Sequence, residues 1–232
     1  MTLDRRNLLA GIGLAAFPIL CGAGPRRLIY RQDFRHDLRQ WAVEAEKPAQ
    51  LRLRAGVLDV VAPAGFTLWF RPLLREPVLI SYEVMAVFEG GLHDRVSDVN
   101  CFWMARDPLV PGEDVLARPR SGRFADYDDL LTYYVGLGGN SNSTSRFRRY
   151  VGRAGERPLL PENDRSGPGD LLVPNRWERI ALIANGRDIR FDRNGRTMFR
   201  YHDPAPYREG RFGLRTTASH LRMRRFAVYR LD

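Results

Sequence analysis

The stretch WERIALIANGRDIRFDRNG, residues 177–195, decides the fold of this chain. Apolar and polar residues alternate on either side of two Asn-Gly dipeptides, and this period of two predicts half-buried strands. Asn-Gly suits the type I′ turn, because both central residues of that turn need positive φ. The stretch therefore predicts three strands, at 177–184, 188–192 and 197–201, joined by two tight hairpins.

The same alternation recurs through most of the chain, and helical periodicity is nearly absent. Two stretches differ: residues 107–129 and 152–175 are rich in Pro, Gly, Arg and Asp, and loops of this length usually act as lids or binding loops. Many short strands at regular spacing predict an all-β fold, a two-sheet antiparallel β-sandwich of the jelly-roll type. Further strands are predicted at 28–34, 51–53, 57–61, 66–70, 78–88, 96–104, 130–137, 211–216 and 221–231.

The first 23 residues have the pattern of an export signal. Arg5-Arg6 precede an apolar run at 8–20, and small residues follow that run; this order fits a cleaved signal peptide. The twin arginines favour the Tat route. Cys21 raises lipidation as an alternative, although Leu20 is a poor fit where a small residue is expected. We expect an exported protein, periplasmic or extracellular, with residues 24–232 forming one domain.

The formal charge of +10 does not point to nucleic acid. Of the 37 basic residues only Lys47 is a lysine, and the arginines are spread along the chain with acidic residues among them. A nucleic-acid binder would concentrate its basic residues in a stripe. We therefore expect no nucleic-acid partner. We also expect a monomer that does not bind a membrane after signal cleavage. Signal cleavage would leave Cys101 as a single buried, inert thiol with no disulfide partner.

Two sets of motifs carry a resemblance to known proteins. Residues 177–195, with EGRFGLRT at 209–216 and RRFAVYRL at 224–231, resemble concanavalin A-like sandwiches of the laminin-G and glucanase type. The motifs RVSDVNCFWMARDP at 95–108 and YYVGLGGNSNSTSRFRRY at 133–150, with ERPLLPENDRS further on, resemble the bacterial family of domain of unknown function 6250. That resemblance implies the concanavalin A-like lectin and glucanase fold and a role in polysaccharide use, but it supplies no catalytic residues.

The paired carboxylates of the retaining glucanases are absent from this sequence. Those enzymes place two carboxyl groups about 5–5.5 Å apart, on a strand with the spacing Glu-x-Asp-x-(x)-Glu. Glu83 is followed by Val84 and Met85, and Glu89 has no partner before a predicted turn. The sequence therefore argues against a glucanase of that kind.

One candidate site lies along predicted strand 96–104. Asp98 and Asn100 share one face of that strand, and because buried polar groups need partners, both are predicted to point at a ligand. The alternative is that they hydrogen-bond loop backbone at an ordered edge. Glu83, on a strand expected to lie nearby, would raise the pKa of a neighbouring carboxyl group and create a general acid or base.

Histidine and aromatic residues extend this candidate site. His93 precedes the strand beside Asp94 and Arg95, where it would shuttle protons near neutral pH; a surface role is the alternative, for His93 and for His220. In 133–150, tyrosines would stack on sugar rings, Asn amides would bind hydroxyls and arginines would bind carboxylates. The alternative there is an edge strand protected by its charge.

These residue types favour β-elimination on a uronate-containing glycan. Arg146 or Arg148 with Asn100 would neutralise the uronate carboxylate, and Tyr134 or His93 would remove the α proton. The alternatives are a non-catalytic glycan-binding module and a glycoside hydrolase using Asp98 with Glu83 or Asp94. No cofactor is expected, and no acidic loop has the spacing of a calcium site. The candidate catalytic residues are His93, Asp98, Asn100, Tyr134, Arg146 and Arg148, and the candidate substrate-binding residues are Glu83, Arg95, Trp103, Tyr133, Asn140, Asn142 and His220.

Overall fold

The computed structural model describes residues 26–232, so the predicted export signal at 1–23 lies outside the described residues. The described chain is an antiparallel sandwich with almost no helix, as the sequence predicts. Its strands are β1 Arg26–Gln32, β2 Trp41–Ala45, β3 Gln50–Arg54, β4 Val57–Arg75, β5 Val78–Ala86, β6 Val99–Arg106, β7 Leu131–Gly138, β8 Thr144–Val151, β9 Asp164–Arg165, β10 Glu178–Asn185, β11 Asp188–Arg193, β12 Arg196–His202 and β13 Glu209–Leu231. The helical turns are α1 Gly139–Asn142 and short 3-10 turns at Pro111–Glu113, Val115–Ala117, Phe124–Tyr127, Pro161–Asn163 and Pro168–Asp170.

Two long strands, β4 and β13, run through both layers of the sandwich. In the first layer the order is β9, β8, β7, β6, the first half of β13, the second half of β4 and then β2. The second layer is built around the second half of β13. On one side of it lie, in order, β5, β10, β11 and β12. On the other side lie β1 and the first half of β4, which pairs in turn with β3. The sequence predicts a break within each of these strands; instead each bends, and β13 does so at Ala218, which has a φ of 47°.

The two Asn-Gly dipeptides both lie at hairpin turns, but at different positions. Asn194 and Gly195 are the central pair of the β11–β12 turn, with φ of 54° and 81°, as type I′ geometry requires. In the β10–β11 turn Asn185 still pairs with Asp188 across the strands. Its loop is therefore Gly186-Arg187, one residue later than the sequence predicts.

The core between the layers is mainly aromatic and aliphatic. Trp41 packs against Phe70 and Phe226 with ring centroids 5.2 and 4.9 Å apart, which is the usual spacing of tilted aromatic pairs. Cys101 is buried in this core, and burial raises the pKa of its thiol to about 12. The cysteine is therefore a buried, protonated thiol, as the sequence predicts.

A second apolar cluster lies on the outer face of the first layer, beneath residues 107–130. It contains Trp69, Phe102, Tyr127, Tyr134 and Tyr150. The long loop predicted at 107–129 therefore covers a sheet face and packs on it with its own side chains. We call this segment the covering loop.

The covering loop is fastened to the sheet by Glu44 of β2. One carboxylate oxygen of Glu44 accepts hydrogen bonds from Trp69 Nε1 and the Tyr127 hydroxyl, both at 2.8 Å, and the other accepts from the backbone N–H of Arg120 at 2.9 Å. Arg120 is itself buried and donates to Asp107 at 2.6 Å. Buried charged groups with satisfied hydrogen bonds fix a conformation, so the covering loop is an ordered part of the domain.

Candidate functional site

A row of polar residues crosses four strands on the outer face of the first layer. Arg215 of β13 is paired with Asn100 of β6, Asn100 with Gly136 of β7, and Gly136 with Arg146 of β8. Side chains of directly paired residues have Cβ atoms about 4.5–5.5 Å apart. Strand register therefore places the side chains of Arg215, Asn100 and Arg146 in one row, with Gly136 between the last two, and the covering loop lies over the Arg215 end. We call this set, with Tyr134, the outer-face site.

Tyr134 adds a hydroxyl group to this row. It lies on β7 two residues before Gly136, and an added Cβ at Gly136 would approach the Tyr134 hydroxyl oxygen to 2.9 Å. The glycine therefore leaves the space that the hydroxyl occupies. Burial, with smaller contributions from Tyr150 and Asp98, raises the pKa of Tyr134 well above its usual value, while Arg215 acts in the opposite direction. At neutral pH Tyr134 is a phenol and a hydrogen-bond donor.

Arg215 and Asn100 have buried polar atoms without protein partners. The Arg215 side chain is fully buried, and its Nη1 donates to Thr67 Oγ1 at 2.9 Å and to the Gly122 carbonyl at 3.0 Å. Its Nε and Nη2 and the Asn100 Oδ1 have no hydrogen-bond partner among residues 26–232. An unpaired buried polar atom typically costs about 1–3 kcal/mol. Two adjacent residues that bear this cost are well placed to bind the polar groups of a ligand.

Aromatic rings of the covering loop hold the Arg215 guanidinium in place. Its carbon lies 5.0 Å from the centre of the Phe124 ring and 4.6 Å from that of Tyr127. Burial lowers the pKa of Arg215, yet an arginine stays charged in proteins. The result is a fixed positive charge beside Asn100 that makes no ion pair with any carboxylate in residues 26–232.

The two predicted arginines of β8 lie at the open side of the outer-face site. Arg146 is held by Asp164 through two hydrogen bonds, at 2.8 and 3.0 Å. Arg148 donates to the backbone carbonyl of Arg157 in the long 152–175 segment. Arg146 thus already has a carboxylate partner, and Arg215 is better placed to bind an anionic ligand.

Asp98 and Arg95 form an ion pair at the start of β6. Asp98 has a φ of 57° and also accepts from the Ser97 hydroxyl at 2.8 Å, and Arg95 donates to the Thr217 carbonyl at 2.8 Å. Asp98 is close enough to influence the pKa values of both Tyr134 and Arg215. It is therefore the carboxylate associated with the outer-face site.

Glu83 is not brought near Asp98. It lies on β5 in the second layer, paired with Arg224, whereas Arg95 and Asp98 lie at the level of Thr217. The seven residues from Thr217 to Arg224 correspond to about 23 Å of strand at a rise of about 3.3 Å per residue. The sequence suggested adjacent strands, but both β5 and β6 pair with β13, each with a different half of it.

Two other predicted binding residues point into the core. Trp103 and Tyr133 are fully buried, and the Tyr133 hydroxyl donates to Asp203 at 2.7 Å and accepts from the backbone N–H of Tyr207 at 3.0 Å. In the alternating pattern of β6 and β7 these residues face away from Asn100 and Tyr134. Their role is therefore structural.

The predicted asparagines shape the β7–β8 turn. Asn140 and Asn142 have φ of 52° and 61°. The Asn142 side chain bonds both backbone groups of Leu172, at 2.8 and 3.0 Å, while Asn140 donates to Thr144 Oγ1 at 3.2 Å. Asn142 therefore anchors the 152–175 segment to the turn.

His220 lies between two carboxylates that fasten residues 87–98. Its Nδ1 is 2.7 Å from Asp94 Oδ1 and its Nε2 is 3.0 Å from Asp59 Oδ1. Asp94 also accepts the backbone N–H groups of Glu89 and Gly91, at 2.6 and 3.0 Å. Asp94 and His220 thus hold the segment that leads into Asp98. His93, half-buried on this segment, makes no hydrogen bond or ion pair with the outer-face site within residues 26–232.

This arrangement predicts a loss of stability in acid. Burial alone would raise the pKa values of Asp59 and Asp94. Hydrogen bonds outweigh burial: Asp59 accepts from Arg222 and His220, and Asp94 accepts chiefly from backbone N–H groups. The pKa values of both carboxyl groups are therefore lower than that of an ordinary aspartate. Their stabilisation is complete above the unfolded value and is lost as pH falls through the lowered folded values. Thermal unfolding followed from pH 6 to pH 2 should show this fall.

His220→Gln should remove part of that acid dependence. We expect it to cost about 2 kcal/mol near pH 6, as loss of a charge-assisted hydrogen bond does, and to flatten the fall in stability below pH 4. His202→Gln, at an exposed position, serves as control. Parallel acid curves for His220→Gln and the unaltered protein would contradict the prediction.

Sequence reasoning missed Arg215. The motif EGRFGLRT at 209–216 carries the signal, since Phe212 and Leu214 alternate with Gly213 and Arg215. An arginine on the polar face of an otherwise apolar strand, opposite Asn100, marks the face that holds the site. The pairing of β13 with β6, which brings the two together, cannot be read from local pattern.

The described residues give two further facts that bear on function. Within residues 26–232 no helix is long and apolar enough to cross a membrane. In the same range no three His, Cys, Asp or Glu side chains are grouped so that they could hold a metal ion.

Solved structures with this fold include several carbohydrate-related proteins. A Bacillus subtilis protein of unknown function with a galectin-like fold aligns with a TM-score of 0.67 and 17% identity, over 90% of this chain and 97% of that one. The carbohydrate-binding module CBM66 from Bacillus subtilis gives 0.54 and 10%, over 82% and 94%. A β-1,3-1,4-glucanase from a mouse hindgut metagenome gives 0.55 and 9%, over 88% and 99%. At these identities the likeness shows the fold alone.

These alignments and the strand order define a sandwich of the galectin-like, concanavalin A-like class. No curated protein sequence matches the chain. A family model does match it, the domain of unknown function DUF6250, over residues 60–226. The chain belongs to that family, as the motifs at 95–108 and 133–150 predict.

Proposed function

We propose that this protein is an exported carbohydrate-active protein that binds a uronate-containing glycan at the outer-face site and cleaves it by β-elimination. The observation that supports this most is the adjacency of Arg215 and Asn100, both with unpartnered buried polar atoms, next to the Tyr134 hydroxyl. The carbohydrate-related proteins of the same fold agree with a glycan ligand.

In this proposal Arg215 and Asn100 bind the uronate carboxylate. The Arg215 guanidinium and the Asn100 Nδ2 N–H groups donate to the carboxylate oxygens, and negative charge developing there in the transition state strengthens these bonds. The unpartnered Asn100 Oδ1 accepts from a hydroxyl group of the sugar. The C–H bond α to the carboxylate then becomes acidic enough to break. Arg146 and Arg148, at the open side, bind the neighbouring sugar unit.

Two further groups move protons. Asp98 takes the proton from the α carbon, the electron pair forms a carbon–carbon double bond, and the glycosidic carbon–oxygen bond on the adjacent carbon breaks. Tyr134 gives its proton to the leaving oxygen, consistent with a pKa raised by burial. Proton transfer from Asp98 through solvent restores the phenol.

A second candidate is a glycan-binding module without catalysis. The carbohydrate-binding module and the carbohydrate recognition domain that share this fold favour it. Hydrolysis by Asp98 with Glu83 or Asp94 receives less support. Glu83 lies in the second layer, and Asp94 already hydrogen-bonds His220 and loop backbone N–H groups.

Incubation with a panel of uronic-acid and neutral polysaccharides separates these candidates. The lyase proposal expects the ultraviolet absorbance of an unsaturated uronate to rise together with reducing ends. Reducing ends without absorbance would indicate hydrolysis. Absence of both signals, with retention on an affinity gel containing the same glycan, would leave the binding module as the function.

A further inference from the structure

A cavity of about 480 Å³ opens on the outer face of the second layer, on the opposite side of the sandwich from the outer-face site. It lies between β1, β5, β10 and the second half of β13. Two carboxylates line it, Asp33 and Glu83, against six guanidinium groups, which leaves a formal excess of four positive charges (six minus two). The six arginines are Arg26, Arg31, Arg35, Arg179, Arg224 and Arg225.

Glu83 organises the inner wall of this basic cavity. Its side chain is nearly buried, and it accepts from Arg224 Nε at 2.7 Å and from Arg225 Nη1 at 3.0 Å, while Arg179 Nε lies 4.0 Å away. The Arg224 guanidinium also lies over the Trp177 ring, 4.0 Å from its centre. One carboxylate thus positions three guanidinium groups and neutralises only one of them.

The outer wall contains arginines that have no acidic partner. Arg31 and Arg35 are exposed, and their side chains make no ion pair or hydrogen bond within the part of the chain described here. Arg26 stacks on Tyr229, 4.9 Å from the ring centre, and its Nη1 is buried without a partner in residues 26–232. Several guanidinium donors without a carboxylate partner in the described residues therefore line the same open cavity.

We propose that the basic cavity binds a small saccharide that carries two or more oxyanion groups, sulfate or carboxylate. Guanidinium groups bind such oxyanions bidentately, and the volume falls in the range of about 300–1,000 Å³ typical of small-ligand sites. A nucleic acid would instead require a basic stripe along the surface. This proposal does not depend on the reaction at the outer-face site, because the two sites lie on opposite faces.

Isothermal titration tests this proposal with the disulfated disaccharide of ι-carrageenan as the probe, because it carries two sulfate groups and no uronate that the outer-face site would bind. The double variant Arg31→Ala/Arg35→Ala should bind at least about tenfold more weakly, as loss of charge-assisted hydrogen bonds predicts. Arg179→Ala should weaken binding similarly. Neither variant breaks a direct hydrogen bond in the fold, so unchanged unfolding temperatures are expected. The control Arg200→Ala removes one positive charge, as Arg179→Ala does, from β12 outside the cavity, and should retain the affinity.

Two outcomes would overturn the proposal. The first is absence of disaccharide binding, whether or not a single-stranded oligonucleotide binds tightly, and the second is equal weakening in the Arg200 control. A digalacturonate titration of the Asn100→Ala variant, in which uronate binding at the outer-face site should be weakened, separates carboxylate from sulfate preference in the basic cavity. Asn100→Ala should leave disaccharide binding unchanged, so failure of the proposed lyase reaction and failure of this proposal give different results.

Discussion

Asn100→Ala is expected to lower cleavage of a uronate polysaccharide by about 10²–10³-fold, the usual loss when one donor to a developing negative charge is removed. Its stability cost should be small, because the Asn100 Oδ1 has no partner in residues 26–232 and removing an unpaired polar group costs little. Initial rates of absorbance increase, measured with thermal unfolding of the same samples, check both parts.

Asn100→Asp sharpens this test. The substitution keeps the shape of the side chain and places a negative charge where the substrate carboxylate is expected to bind, so we expect it to bind substrate more weakly than Asn100→Ala. Gln40→Ala, which removes an exposed amide, is the matched control. Full activity of Asn100→Ala, or equal losses in it and the Gln40 control, would remove Asn100 from the site.

Glu44→Ala is expected to destabilise the protein by about 3–5 kcal/mol, because it leaves the donors of Trp69, Tyr127 and Arg120 buried without their acceptor. For a domain of this size that loss corresponds to a fall of roughly 10 °C in unfolding temperature. Differential scanning calorimetry measures it. The covering loop should also become accessible to protease before the rest of the domain unfolds.

The exposed Glu156, which pairs with Arg153, provides the control for this prediction. Glu156→Ala should change the unfolding temperature by no more than about 1–2 °C, since surface ion pairs contribute little. A similarly small effect of Glu44→Ala would show that the covering loop is held by its apolar contacts alone.

Alternation alone predicts the strands and the all-β class, because both depend on local pattern. Alternation also places Asn100 on the same face of its strand as Asp98. The length and composition of residues 107–129 predict that they do more than connect two strands. The local sequence pattern does not predict that β4 and β13 each continue as one strand through a bend. Continuity across a bulge depends on the neighbouring strands that pair on both sides of it, and these are distant in the sequence.

Which residues form the candidate site also depends on strand pairing, which local sequence pattern does not show. Tyr133 and Tyr134 are adjacent and chemically alike, yet one faces the core and the other the outer-face site, and only strand register separates them. Glu83 is a plausible partner for Asp98 until strand order places it in the other layer. Arg215 comes from a segment 115 positions after Asn100 and joins the site only through pairing of β13 with β6.

The two strands shared by both layers determine how a ligand can enter. Since β4 and β13 are hydrogen-bonded within each layer, the layers cannot slide or separate without breaking those ladders. The shared strands therefore prevent the hinge or shear motions that open clefts between two domains. A ligand can reach Asn100 and Arg215 only if the covering loop or the 152–175 segment is displaced. The hydrogen bonds of Glu44 and Asn142, which hold these two segments, therefore oppose ligand entry to the outer-face site.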